Sequence, residues 1–337
     1  MGSSPLRPNT SSGTLHKWCN ELKTIKQLLK QSEMDRLIAW LSERKLFTVI
    51  LACTYLTAVI LFHRDVSGIF DWLSEKLSFK VYNDLIFLIS LMVMVPCGVF
   101  VLMRIVKGER RCLKITYWIF TAFLVVISYK TLVVFNVENI HFPQYAVLTL
   151  PVFALFKHFG ATVFWVTLLG VFDEAYQYVV LCRNNNAVYL DFNDIVLNLI
   201  GAGIGVAFIY TLSDLKSESL AFHANSSRKW NKSIILTVTA CILFGGISLY
   251  AAGILRFYPD ANAPNALIVL SRLPAPTQFW EIPSRGKPFH IFHPVEAMFF
   301  SAILIGCYSL MDYSLKSRKM DSQSYQMGEL KQPSPFL

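Results

Sequence analysis

The stretch Asp191–Gly205, DFNDIVLNLIGAGIG, opens an apolar run that continues to Leu212. Two acids stand at its head and an Asn lies one turn inside. Asp191 or Asn193 has the side chain of a helix N-cap, which accepts bonds from the first free backbone N–H groups. Asp194 in the first turn also complements the helix dipole. Capping does not explain Asn198, which is four residues past Asp194 and shares its helical face. Gly201 and Gly205 extend that face at further steps of three and four. Glycines on such a stripe let a neighbouring backbone approach closely. The pattern Asp-x3-Asn-x2-Gly-x3-Gly therefore predicts a membrane-type helix whose polar stripe faces protein and not lipid.

Working outward, the composition agrees. Of 337 residues, 54% are apolar and only 16% charged, with a mean hydropathy of +0.46. Soluble domains carry about a quarter charged residues. Apolar runs long enough, or nearly so, for a bilayer crossing of about 20 residues fall at 46–62, 83–103, 115–135, 144–159, 161–181, 194–212, 233–253 and 295–311. The expected fold class is all-α, a polytopic membrane protein of about eight transmembrane helices. Its parts are a cytoplasmic N-terminal segment (1–45), three helices (46–135), a three-helix core (138–212), two further helices with an intervening loop (213–311) and a cytoplasmic tail (312–337).

The net charge of +9 does not indicate nucleic acid, because the cations gather at the ends of apolar runs. Placing the N-terminus inside puts 22 of the 31 Lys and Arg in inner segments and 8 in outer ones. The remaining one, Lys130, falls within the third span. This asymmetry predicts that both termini are cytoplasmic. The seven Cys (19, 53, 97, 112, 182, 241 and 307) are scattered without a CxxC pair, and read as small buried hydrophobes.

Three segments do not read as spans. Residues 15–44 carry Trp18, Leu22, Ile25 and Leu29 on one helical face and several Lys elsewhere. This is a basic amphipathic helix that fits either the inner membrane surface or a protein partner. Residues 65–78 read as a second interfacial helix, on the outer side. The outer loop 254–294 holds seven of the 14 Pro together with many aromatics, which predicts an ordered, non-helical cap at the outer interface.

On this topology the polar residues inside spans converge on the outer end. His141 and Tyr145 open the fourth span, Glu174 and Gln177 lie late in the fifth, and Asp194 and Asn198 open the sixth. Glu174 stands seven residues before Leu181, a depth of roughly 10 Å from the helical rise. An ionisable group so placed usually faces a bundle interior or a wet cavity. Asp173 is expected to point elsewhere, about 100° round the helix. Lys130 reads as a snorkelling cation, with an ion pair to Glu174 or Asp173 as the alternative. His290-x2-His293-x2-Glu296 offers metal-ligand types, but Pro294 interrupts the spacing, so these residues read as polar anchors. No metal and no cofactor is expected.

These spaced elements resemble the VanZ-like family. Its pattern has His-x3-Tyr opening one span, Glu-x2-Gln late in the next, an Arg in the following loop, and Asp-x3-Asn-x2-Gly opening a third. Here the matching positions are His141 and Tyr145, Glu174 and Gln177, Arg183, then Asp194, Asn198, Gly201 and Gly205, over about residues 138–212. The chain departs from the pattern at Glu138, where a Lys often stands, and in the longer loop from Arg183 to Asp194. The resemblance implies a largely bacterial family, a place in the cytoplasmic (inner) membrane and an envelope-related role. That role would be binding of, or protection against, a cell-wall or lipid-type ligand such as an envelope lipid or glycopeptide-like headgroup. One alternative is a membrane-embedded enzyme acting on an envelope lipid or cell-wall precursor. There His141, Glu174 and Asp194 would be the catalytic candidates, Arg183 would bind a phosphate or carboxylate, and Gln177 and Asn198 would position substrate. Without catalysis, these residues and Tyr145 form a ligand-binding site or a buried polar network that locks three helices. A transporter is the other alternative, although no inverted repeat is visible. Membrane lipids are the one partner class the sequence indicates, and the oligomeric state is not legible.

Overall fold

Within hydrocarbon every backbone polar group must be satisfied internally, which makes helices of the apolar runs. The structure, a computed structural model, describes residues 32–181, 190–213, 217–257, 268–270, 278–283 and 286–329. Its helices are α1 (Glu33–Glu43), α2 (Lys45–Lys76), α3 (Phe79–Lys107), α4 (Arg111–Thr131), α5 (His141–Phe156), α6 (Phe159–Tyr176), α7 (Phe192–Leu212), α8 (Ser217–Ala251) and α9 (Pro294–Glu329). A 3-10 turn, Asn136–Ile140, leads into α5, and a π turn, Gln177–Leu181, ends α6. Strand structure among the described residues is confined to one parallel pair of two-residue strands, Leu255–Arg256 with Ile268–Val269, and one bridge between Glu281 and Phe289.

The protein is helical. Six of the described helices are long and apolar enough to cross a membrane: α2, α3, α4, α7, Ser233–Ala251 of α8 and Pro294–Asp312 of α9. The runs expected at 144–159 and 161–181 form α5 and α6, of 16 and 18 residues, and fall outside that set. The first keeps the expected length but starts and ends three residues earlier, and α6 gives way to the π turn after Asp173 and Glu174.

Other expectations change. The span 46–62 and the interfacial helix 65–78 are one continuous helix, α2, of 32 residues. No Pro or cap separates them, so helical hydrogen bonding runs through Asp65 and Ser67. The third span starts and ends about one turn earlier than expected, as α4. Of the amphipathic segment 15–44, residues 15–31 lie outside the described residues, and the remainder forms α1, capped by Ser32 accepting from the Asp35 N–H at 3.1 Å. The described cysteines are not buried. Cys53, Cys97, Cys112 and Cys241 are exposed and Cys307 is half-buried, all unpaired, on helix faces turned away from the core; Cys19 and Cys182 lie outside the described residues.

The core is built around α7. Nearly every residue from Asn193 to Thr211 is buried, and the helix packs most extensively on α5, then on α6 and α4. A helix apolar on all sides is stable only when surrounded. Leu197, Leu199, Ile200 and Val206 meet Tyr145, Leu148, Phe153, Val163 and Tyr308 in one hydrophobic cluster. By contrast, α8 from Ser233 to Ala251 buries none of its apolar window.

Hydrogen bonds tie the helices at both ends. At one end Asn193 on α7 donates from Nδ2 to the carbonyls of His290 (2.8 Å) and Leu132 (3.3 Å) and accepts from the Phe292 N–H (2.9 Å). At the other, buried Lys114 of α4 donates to the Thr211 carbonyl (3.0 Å) and Trp118 donates to the Thr211 hydroxyl (2.8 Å). There too the Asp312 carboxylate of α9 accepts the first backbone N–H groups of α6, from Phe159 (2.9 Å) and Gly160 (3.0 Å). The starts of α5 and α7 thus lie beside the ends of α4 and α6, as up-and-down packing requires.

The loop expected to form an outer cap is described at 255–257, 268–270, 278–283 and 286–293. Its last part lies across the end of α4. The backbone N–H of Lys287 donates to the Val134 carbonyl (3.4 Å), and its Nζ donates to the Tyr129 carbonyl (3.2 Å) while sitting 3.5 Å from the Tyr129 ring centroid.

A buried polar cluster between three helices

The cluster begins with how α5 is entered. Glu138, in the 3-10 turn, folds back so that its carboxylate accepts the N–H groups of Val134 (2.8 Å) and Phe135 (3.2 Å). Burial pushes the Glu138 carboxyl up to about 8; Asp194 and Asp191 act in the same direction, and the two N–H bonds oppose them. Burial lowers the Lys287 ammonium to about 8, with Glu138 resisting the shift and Lys130 adding to it.

That entry sets His141 at the first turn of α5, buried against α7. Its Nδ1 is 2.8 Å from Asn198 Oδ1, and Asn198 Nδ2 donates to Glu174 Oε1 at 3.3 Å. Asn198 is fully buried. With Glu174 ionised, its carboxylate only accepts, so the amide nitrogen faces it. The amide oxygen faces His141, the arrangement of an Nδ1–H tautomer. The other ring nitrogen, Nε2, faces Asp194 Oδ1 at 3.5 Å.

A second branch hangs on Asp173. It is buried, and accepts from the Tyr145 hydroxyl (2.8 Å) on one oxygen and from Gln177 Nε2 (3.1 Å) on the other. Asp173 does sit round the helix from Glu174, but α6 is enclosed on that side too, by α5. Gln177, expected to act alongside Glu174, bonds to Asp173 instead, one turn away. His63 of α2 lies within electrostatic reach of Asp173 and His141.

The glycines set the closeness of α7 to its neighbours. A Cβ on Gly201 would lie 2.9 Å from the carbonyl oxygens of His141 and Phe142, and one on Gly205 would lie 2.5 Å from Thr149 Cβ. Gly170 on α6 makes room for Asn198, whose Cβ is 3.0 Å from the corresponding point. The capping role at the head of α7 belongs to Asp191, which accepts from Asn193 N (2.9 Å) and Asp194 N (3.4 Å). Asn193 is the inter-helix tie described above.

The structure therefore brings together His141, Tyr145, Glu174, Gln177, Asp194 and Asn198, and adds Asp173. Arg183 lies outside the described residues. Among the described residues no Lys or Arg comes within 4.0 Å of Asp173, Glu174 or Asp194, so the considered Lys130 ion pair is not formed. One His and two carboxylates, His141, Glu174 and Asp194, present ligand atoms all within 4.8 Å of one another. At the other candidate set, His290 Nε2 is 3.4 Å from Glu296 Oε2, while His290 Nδ1 donates to the Phe279 carbonyl (2.9 Å). Glu296 also accepts the His293 N–H (3.0 Å), capping α9, and these residues act as anchors for the loop.

Asp173, Asn193 and Glu138 were not singled out as site residues by sequence. Each had a signal: Asp173 as the second of two adjacent acids in an apolar helix, Asn193 beside two acids, and Glu138 as a departure from the family pattern.

Fold and site together define the class: a helical protein with membrane-length apolar helices gathered round a buried polar cluster. Compared with models of protein families, with curated proteins and with solved structures, the chain matches none.

Proposed function

We propose that the chain is a VanZ-like integral membrane protein of the bacterial cytoplasmic membrane. Its polar cluster, on this reading, faces outward and binds, or protects against, a cell-wall or lipid-type ligand. The observation that carries this reading is the direct bond from His141 to Asn198 and on to Glu174. It joins three sequence elements of the family pattern that are far apart in the chain. We read α5 and α6 as two further short spans, giving eight, with both termini cytoplasmic. The excess of Lys and Arg at the end opposite the cluster supports that orientation.

A second reading, catalysis on an envelope lipid or cell-wall precursor, draws on His141 Nε2 facing Asp194 at 3.5 Å. A buried imidazole beside a carboxylate is a reasonable acid-base pair. Untargeted analysis of envelope lipids and precursors, in cells with and without the protein and with Glu174→Gln, tests both. A metabolite that changes only with the intact protein supports catalysis. Protection against an envelope-directed compound without such a change supports binding. No difference of either kind, with the protein inserted, rejects the envelope role.

A further inference from the structure

We propose that His141, Glu174 and Asp194 form a site for a divalent transition-metal cation of the zinc or manganese class. The inference rests on the reading of this cluster as a ligand pocket, and deepens it.

Three observations carry it. First, ligand atoms from one imidazole and two carboxylates lie within 4.8 Å of one another, from three different helices. Coordination at about 2.1 Å sets ligand atoms roughly 3.4 Å apart, so the widest pair closes by no more than about 1.4 Å. Second, the hydrogen bonds set the tautomer that a metal needs. With Glu174 ionised, Asn198 donates to it and accepts from His141 Nδ1, so Nε2 of the neutral ring carries a lone pair. That lone pair points at an acceptor, Asp194 Oδ1, 3.5 Å away. Two acceptors facing each other take a proton or a metal ion between them, and 3.5 Å is longer than a hydrogen bond but close to the roughly 3.4 Å spacing of two ligands on one metal. An imidazole bonded through its far nitrogen to a polar group is also the usual arrangement around a metal. Third, His141 and Glu174 are almost fully buried, and among the described residues no Lys or Arg offsets Asp173, Glu174 or Asp194. Buried charges are normally paired or coordinate metals.

The donor set selects the ion class. Imidazole nitrogen with carboxylate oxygens suits zinc, iron or manganese better than calcium, which prefers oxygen alone. Three protein ligands leave a coordination position open. Asp194, whose side chain is 22% exposed, is the member nearest to solvent and marks the entry.

The test uses the full chain in detergent, stripped with a chelator. Manganese added to it is followed by loss of the free-ion electron paramagnetic resonance signal, and zinc is added as competitor. The expected result is one ion per chain, displaced by zinc. Glu174→Gln and Asp194→Asn should each weaken binding by roughly tenfold or more, while His290→Ala leaves it unchanged. X-ray absorption of the zinc-loaded wild-type protein needs no variant, and should show one imidazole with oxygen ligands and no sulfur. No uptake at millimolar ion, an unaltered affinity in both variants, or a shell with sulfur or without imidazole overturns the proposal. Failure of the metal with an envelope phenotype that still needs Glu174 leaves the pocket reading standing. Metal bound by a protein without any envelope phenotype does the reverse.

Discussion

Asn198 holds the polar cluster together, because its single amide satisfies a group on each neighbouring helix. Its oxygen accepts from His141 on α5 and its nitrogen donates to Glu174 on α6. Asn198→Ala would leave both buried partners unmatched, at a cost of roughly 1–3 kcal/mol for each. The expected outcome is a clear fall in melting temperature of the detergent-purified protein. A drop no larger than that of an exposed-face substitution would show the network to be incidental. Glu138 supports a second prediction, in pH. Its folded-state value is raised from 4.5 to about 8, so the folded protein holds this proton where the unfolded chain has released it. Ionising Glu138 then costs the folded state, and its contribution to stability declines as pH rises from about 4.5 to about 8. Glu138→Gln removes that decline. The variant should match the wild type at low pH, where a neutral amide replaces a neutral acid, and stay flatter across the window. Melting curves at several pH values for both proteins check this, and parallel curves would contradict it.

At the scale of elements, the approach of α7 to α5 depends on Gly201 and Gly205. The atoms facing Gly201 are backbone carbonyls of His141 and Phe142, which cannot rotate away. Gly201→Ala therefore has to separate the helices and lengthen the His141–Asn198 bond, an overpacking cost of about 1–3 kcal/mol. Gly98→Ala on α3, where nothing lies within 4 Å, serves as the neutral comparison. Thermal unfolding of the two variants should differ, and equal stability would mean that the contact yields more easily than its geometry suggests. The same helix shows what was legible beforehand. The stripe of Asp194, Asn198, Gly201 and Gly205 could be read because helical periodicity fixes which residues share a face. Which helices meet that face is a long-range property, and the partners of Asp173 are not legible in the sequence for this reason. A 100° offset means exposure on a one-sided helix, but not on α6, enclosed by α5 and α7. The cysteines were misjudged by the converse argument, since an apolar residue on a membrane-type helix need not be in the core. The joining of 46–62 to 65–78 was missed because a drop in hydropathy ends an apolar run without ending a helix.

For the whole molecule, the two ends differ chemically, and that difference makes orientation testable. The end with the polar cluster also carries residues 278–283 and 286–293, with Phe279 and Ile282 exposed. The opposite end carries Arg104, Lys107, Arg110, Arg111 and Lys114 around the turn between α3 and α4. Cations translocate poorly, so the second end should stay in the cytoplasm. Cys112, exposed and next to Arg111, is a native reporter for it. In a background lacking the other cysteines, a membrane-impermeant maleimide should leave Cys112 unmodified in intact cells and react with it in inverted vesicles. Ile282→Cys, with Cys112 also removed, should show the opposite pattern. Cys112 opens α4 and Ile282 follows α8, so five crossings separate the reporters if α5 and α6 both span and three if neither does, an odd number either way. Labelling of both from the same side would therefore reject the eight-span arrangement. A clean exchange of sides would keep that parity but turn the cluster toward the cytoplasm, and remove the case for an outward-facing ligand.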